Sequence, residues 1–258
     1  QIIQSIAPEC EQLTVFQRTA NWCTPLRNAP ITDEEQAKHK AEAQDIFDLC
    51  KRTWAGFIHE PDERAAMDVP KEERFARCQA FYKRGGFSQW PGNFSDSFTS
   101  KEAADEVAEF LAQKIRERVK DPVMAEHLIP KHTFGTKRCP GEKDYYEMFN
   151  RDNVSLVNLR ETPITKITEK GIQVGDEVHE LDVIIYATGF HSITGELLRM
   201  DIRGENGHSL KEHWSDGPRT NLGVQFSGFP NLFAIMGPHN PALFCNITRS
   251  VESNAEWI

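Results

Sequence analysis

Residues 1–18 read Gln1-Ile2-Ile3-Gln4-Ser5-Ile6-Ala7-Pro8-Glu9-Cys10-Glu11-Gln12-Leu13-Thr14-Val15-Phe16-Gln17-Arg18, and this stretch decides the fold. Ile2, Ile3 and Ile6 share one face at helical spacing, and Pro8 closes the helix. Leu13 to Arg18 is a short run of β-formers. Helix followed by strand is what a βαβ unit shows beyond its first turn. In such a unit a Gly-rich phosphate loop opens the helix, and the residue that meets the ribose lies about 20 positions after the loop's first Gly. Counting back from Arg18 places that loop just before Gln1. The expectation is an α/β protein with an incomplete dinucleotide-binding domain, in which Arg18 stands at the ribose.

Outward from this stretch, Asn21 to Pro30 holds two prolines and no periodicity, so it reads as a linker. Ile31 to about Val119 turns helical. Thr32 or Asp33 caps a first helix through Ala37, Ala41, Ile46, Phe47 and Cys50. A second runs from Lys71 to Arg84 and ends on Gly85-Gly86. A third follows an aromatic loop with Phe87, Trp90, Phe94 and Phe98. Thr99 and Glu102 have capping-box spacing, Ala104-Val107-Leu111-Ile115 form the stripe, and Asp121-Pro122 stops it. This block reads as a helical insertion packed over something else, and its carboxylates (Glu34, Glu35, Glu72, Glu73) as a solvated face.

Past Pro130 the strand pattern returns. Val154 to Leu159 is one strand; Ile164–Ile167 and Gly171–Val174 form a hairpin, and Val178 to Glu180 adds a third strand. Leu181-Asp182-Val183-Ile184-Ile185-Tyr186 is nearly all apolar and ends in Ala187-Thr188-Gly189, which suits a strand buried on both faces of a parallel sheet. Asn231 to Met236, followed by Gly237-Pro238, repeats the design. Ligands of open α/β sheets bind outside the carboxyl ends of strands. Three such ends are expected: Arg18-Thr19, Thr188-Gly189 and Gly237-Pro238.

The 258 residues suffice for one large domain or two ordinary ones. No apolar run approaches the ~20 residues of a membrane-spanning helix, and no leader is visible. A net charge of −9 argues against a general nucleic-acid binder, so any anion site is local. Six scattered cysteines include no C-x-x-C, and nine scattered histidines no H-x-x-x-H pair, so no metal site or dithiol motif is expected. Free thiols point to a reducing, cytoplasmic setting.

Arg18 stands where an NAD site carries a carboxylate. A guanidinium there offers a planar fork to the 2′-phosphate of NADPH, and Thr19 adds a hydroxyl. A solvent-facing arginine at a strand end explains Arg18 equally well. In Phe134-Gly135-Thr136-Lys137-Arg138, consecutive Lys137 and Arg138 leave an extended segment on opposite faces. A solvated pair of loop cations is the plain alternative. Thr188-Gly189 permits close backbone approach, or is simply a turn.

Gln17-Arg18-Thr19, Phe134 to Arg138, Tyr145-Tyr146-Glu147-Met148-Phe149-Asn150-Arg151-Asp152-Asn153-Val154, Leu181 to Phe190, Asp201-Ile202-Arg203-Gly204, Phe229-Pro230-Asn231-Leu232-Phe233 and Glu256-Trp257 occur in order along the chain. Together they resemble the Baeyer–Villiger monooxygenases, of the phenylacetone, cyclohexanone and steroid type. The resemblance implies two dinucleotide-binding, Rossmann-like domains, for FAD and NADPH, both incomplete here, with a helical insertion. Residues 1–25 and 136–190 would form the NADPH domain, 26–135 the insertion, and 191–258 the C-terminal part of the FAD domain. It implies Arg18, Thr19 and Lys137 at the 2′-phosphate, Thr188 and Gly189 at the cofactor, and Arg138 as the active-site arginine. Leu243, Phe244 and Ile247 would line the substrate pocket.

The implied activity is insertion of one oxygen of O2 beside a ketone carbonyl, giving an ester or lactone. The implied partners are the ketone, O2 and a missing N-terminal part of the same enzyme. Two alternatives are an N- or S-oxygenating flavin monooxygenase and a non-catalytic nucleotide-binding fragment. Ala20 stands where many members have Pro, and His191 where many have Asp.

Overall fold

The computed structural model describes residues 2–240 and 244–258. In chain order its elements begin with α1 (Ile2–Ile6), β1 (Leu13–Gln17), β2 (Thr24–Pro25), α2 (Asp33–Ala41), α3 (Ala43–Arg52), α4 (Lys71–Arg84), α5 (Lys101–Arg118) and α6 (Pro122–Leu128). There follow β3 (Gly141–Glu142), α7 (Tyr145–Met148), β4 (Val154–Asn158), β5 (Ile164–Thr168), β6 (Gly171–Val174), β7 (Glu177–Glu180), α8 (Gly195–Arg199), α9 (Leu210–His213) and α10 (Ile247–Trp257). They gather into two compact units, Gln1–Asp33 with His59–Ile184, and Glu34–Ile58 with Ile185–Ile258.

In the first unit β1 lies parallel to β4, in a register from Leu13 opposite Val154 to Gln17 opposite Asn158. A parallel pair needs a crossover, and here nearly all of the unit's helical segments lie between the two strands in sequence. Asn153 secures the entry: its Nδ2 donates to the carbonyls of Ala7 (2.8 Å) and Cys10 (2.9 Å) at the end of α1. A second parallel pair, β2 with β3, aligns Thr24 with Gly141. The hairpin strands β5, β6 and β7 form an antiparallel sheet.

The expected stripe of α5 is buried, and Ala104, Val107, Leu111 and Ile115 enter the same core as Trp22, Phe134, Tyr146 and Val154. Thus α5 shares one core with the strands. It also carries a partly buried ion network at its C-terminus. Arg118 donates to both oxygens of Glu142 (2.6 and 3.1 Å) and both of Glu147 (2.7 Å each). It also reaches the Tyr82 hydroxyl (3.0 Å) and stands over the Tyr146 ring. Burial pushes the Glu147 carboxyl up, but the Arg118 hydrogen bonds outweigh it and hold the group below its usual range.

Several expectations are corrected. The cap of α5 is Ser100, whose side chain accepts from the Ala103 N–H, while Thr99 donates to the Asp96 carbonyl. Two adjacent hydroxyls cannot be ranked by spacing. Asp121-Pro122 does not merely stop α5: Asp121 caps α6, with Pro122 in its first turn, where the missing N–H costs nothing. The helix expected through Cys50 is two, α2 and α3, separated at Glu42.

The runs at Leu181–Tyr186 and Asn231–Met236 form no strand. Val183 is 74% exposed and Tyr186 67%, so the first run has no sheet neighbour on either face among the described residues. The second holds an isolated bridge from Phe233 to Gln225, the Ala234 N–H to Val224 carbonyl bond, a turn bond from the Leu232 N–H to the Phe229 carbonyl, and a side-chain bond from Asn254 Nδ2 to the Ile235 carbonyl, but no ladder. A strand needs edges to pair with, and apolar character alone supplies none.

The second unit has its own small core of Leu210, Trp214, Phe226 and Phe229. A full capping box starts α9, with Ser209 and Glu212 exchanging hydrogen bonds. Ahead of α10, Asn246 bonds to the Ala55 and Gly56 carbonyls. No helix of the described residues is long and apolar enough to cross a membrane.

Removing Arg118 leaves two carboxylates behind, Glu142 with only 5% of its side chain exposed. Arg118→Ala is expected to destabilise the protein by about 3 kcal/mol, the lower end for breaking a buried pair, since Arg118 itself keeps some solvent contact. Urea denaturation of the full-length protein measures this, and an unchanged midpoint contradicts it.

Candidate functional site

The carboxyl ends of β1 and β4 lie side by side, because the last paired residues are Gln17 and Asn158. Arg18 and Thr19 follow β1 directly and both are exposed. On either side of them the chain is tied to α6 and the segment that follows it. Gln17 Nε2 donates to the His127 carbonyl (2.9 Å), Asn21 Nδ2 to the Arg138 carbonyl (3.2 Å), and Trp22 Nε1 to the His132 carbonyl (2.9 Å). These three bonds bring the strand end at Arg18-Thr19 and the basic segment at Lys137-Arg138 onto one border of the unit.

Within that segment Gly135 takes φ +87°, a left-handed turn, and a Cβ there would meet the Phe98 ring at 2.9 Å. Phe134 beside it is buried, and Thr136 closes the turn by donating to the Thr133 carbonyl at 2.8 Å. The two cations that follow diverge. Lys137 is exposed, whereas Arg138 is half-buried with its guanidinium over the Phe87 ring at 5.4 Å. Nearby, His132 is held below the usual histidine range, first by burial and then by the charge of Lys137.

Among the described residues neither Arg18 nor Lys137 enters an ion pair, although acidic residues outnumber basic ones by 39 to 30. Unpaired cations held on a firm backbone suit an anion with several oxygens, such as a phosphate monoester. One further cation escaped the sequence reading. Arg160, just past β4, donates to the Arg18 carbonyl (3.0 Å) and the Thr19 hydroxyl (3.2 Å). Its signal was the same as that of Arg18, a cation at a strand end, but only the pairing of β1 with β4 makes the two neighbours.

The remaining expected site residues lie in the second unit. Thr188 and Gly189 are exposed; Gly189 takes φ +87° and an added Cβ would meet nothing within 4 Å, which leaves its backbone open to close approach. Ile247 opens α10 and is exposed, as is Phe244. Leu243 lies outside the described residues.

The parallel pairing of β1 with β4 and the helices between them make the unit α/β, consistent with a Rossmann-like domain. The comparisons narrow this. The sequence matches no family model. It is 47% identical, over all of its length, to 2-oxo-Delta(3)-4,5,5-trimethylcyclopentenylacetyl-CoA monooxygenase of Pseudomonas putida, covering 48% of that protein. It is 41% identical to cyclopentanone 1,2-monooxygenase of Comamonas sp., again over its full length and 48% of the relative. Among solved structures, OTEMO in complex with FAD and NADP superposes with a TM-score of 0.96 at 47% identity, over 99% of this chain and 48% of that one. The chain is a homologue, along its whole length, of the Baeyer–Villiger monooxygenases. It spans about half the length of the curated relatives it matches.

Gly135→Ala tests the turn that presents Lys137 and Arg138. A β-carbon at this φ, pressed on Phe98, is expected to cost about 1–3 kcal/mol. Thermal unfolding of the full-length protein reads the loss; Gly135→Asn, which tolerates left-handed backbone better, is expected to lose less.

Proposed function

We propose that the whole protein is an FAD- and NADPH-dependent Baeyer–Villiger monooxygenase that converts a ketone and O2 to an ester or lactone. The observation that carries this reading is homology, along the whole of this chain, to about half the length of such enzymes, combined with exposed Arg18 and Lys137, which enter no ion pair among the described residues, on the border where a phosphate would be met. In this reading residues 1–25 and 136–190 contribute to the NADPH domain, 26–135 to a helical insertion, and 191–258 to the FAD domain.

The fit to NADPH rests on donor chemistry. Arg18 offers a planar fork, Lys137 a point charge and Thr19 a hydroxyl, whereas a carboxylate at position 18 would repel a 2′-phosphate. Each charge-assisted hydrogen bond is worth roughly 1.5–3 kcal/mol, so two of them suffice for a preference over NADH of orders of magnitude. For the flavin, the open left-handed turn at Gly189, preceded by Thr188, lets backbone lie close against a cofactor. When bound and reduced, the flavin supplies the electrons that activate O2.

Arg138 is the residue assigned to that chemistry. Its guanidinium is restricted in motion by the Phe87 ring under it. It therefore holds a fixed positive charge for oxygen atoms that become negative as the ketone is attacked, which is electrostatic preorganisation rather than proton transfer. Phe244 and Ile247, together with Leu243, are assigned to the ketone pocket, and their apolar side chains select against charged substrates.

Two outcomes test these roles in the full-length enzyme. Arg138→Ala is expected to abolish ester formation while NADPH still bleaches the flavin; oxygenation at the wild-type rate refutes the assignment. For Lys137→Glu the KM for NADPH is expected to rise at least ~100-fold, that for NADH by far less, since the change both removes a cation and adds a repelling anion. Equal rises for both cofactors refute the phosphate role.

A further inference from the structure

Arg160 leaves β4 on a turn that fixes its direction. Its own N–H donates to Asn158 Oδ1 (3.1 Å), while the N–H groups of Glu161 and Thr162 converge on the Asn158 carbonyl. Asn158 Nδ2 also holds Glu161 Oε1 (2.8 Å), which His127 Nε2 approaches from the other side at 3.3 Å. The neighbouring carboxylate is thus engaged by Asn158 and His127, and Arg160 forms no ion pair among the described residues. Across the strand border its Nε donates to the Arg18 carbonyl and its Nη2 to Thr19 Oγ1.

The second bond has a directional consequence. A guanidinium only donates, so Thr19 Oγ1 is the acceptor, and the hydroxyl hydrogen is left for another acceptor. The bond to the Arg18 carbonyl meanwhile fixes the peptide from which Arg18 and Thr19 both project. We propose that Arg160 is a positioning residue of the 2′-phosphate site: it sets Thr19 as a donor toward the phosphate, steadies Arg18, and adds a third positive charge. This rests on the assignment of Arg18, Thr19 and Lys137 to NADPH. Arg160 is exposed and sits outside every buried cluster, so its replacement leaves the core untouched.

The test uses the FAD-loaded full-length enzyme titrated calorimetrically with adenosine 2′,5′-bisphosphate and, separately, adenosine 5′-monophosphate. Arg160→Ala is expected to weaken the bisphosphate about tenfold and leave the monophosphate within about twofold. Arg160→Lys keeps the charge without the fork and is expected to recover only part of the loss. In a Thr19→Val background, Arg160→Ala is expected to cost distinctly less, because part of its action runs through that hydroxyl. Full additivity of the two substitutions, unchanged bisphosphate binding, or equal weakening of both nucleotides overturns the role of Arg160. Arg18→Ala separates the levels: if it weakens the bisphosphate while Arg160→Ala does not, the inference alone falls. If neither does, the phosphate assignment falls with it.

Discussion

Arg118 is the constraint on which the first unit depends. It terminates the longest helix, and its fork is matched by two carboxylates from a later part of the chain, one on β3 and one on α7. Glu142 is further bound by the Tyr145 N–H, and Asn150 bridges the Lys120 N–H and the Arg118 carbonyl. Such a network has no tolerance for partial formation, since a buried carboxylate without its cation is strongly unfavourable. It therefore fixes where α5 ends relative to β3. The segment from α6 to β3, which carries Gly135, Lys137 and Arg138, is held between those fixed points.

The consequence is a division of labour among cations. Arg118, Arg74 and Arg116 are spent on carboxylates within the first unit, where they hold helices together. Arg18, Lys137 and Arg160 are not, and they stand on the border where parallel strands end. In a chain of net charge −9 the surrounding field disfavours anions, so a phosphate is attracted only where cations are both local and unpaired. Arg138 belongs to neither group. It is half-buried on Phe87, whereas Lys137 beside it is exposed, both following the left-handed turn at Gly135.

Element types were largely legible, and partners were not. The hairpin at Glu169-Lys170-Gly171, the helix from Lys71 to Arg84 and the buried stripe of α5 all follow from local periodicity and turn chemistry. The start of α6 was missed because Asp-Pro both ends one helix and begins another, and the choice depends on whether Met124, Ala125 and Leu128 find a core. Leu181–Tyr186 shows the opposite failure. Its composition suits a doubly buried strand, yet a strand exists only where another backbone lies alongside. The ordered set of motifs pointed to the monooxygenase family, and Arg18, Thr19, Lys137 and Arg138 were each identifiable as cations or donors at strand or turn ends. Arg160 was not, because its importance comes from adjacency.

By itself the sequence determined most of the helix and strand types, the acidic background and the presence of an arginine directly after β1. These are properties of residues and their near neighbours, set by steric preference, periodicity and charge. Only the tertiary structure decided that β1 pairs with β4, that Asn21 and Trp22 lie against the segment of His132 and Arg138, and that Arg160 reaches Thr19. All three join residues more than a hundred positions apart, the first through backbone groups that every residue carries and the other two through side chains with many possible partners. Local sequence does not specify which of those groups meet. The choice is made by the whole core closing at once.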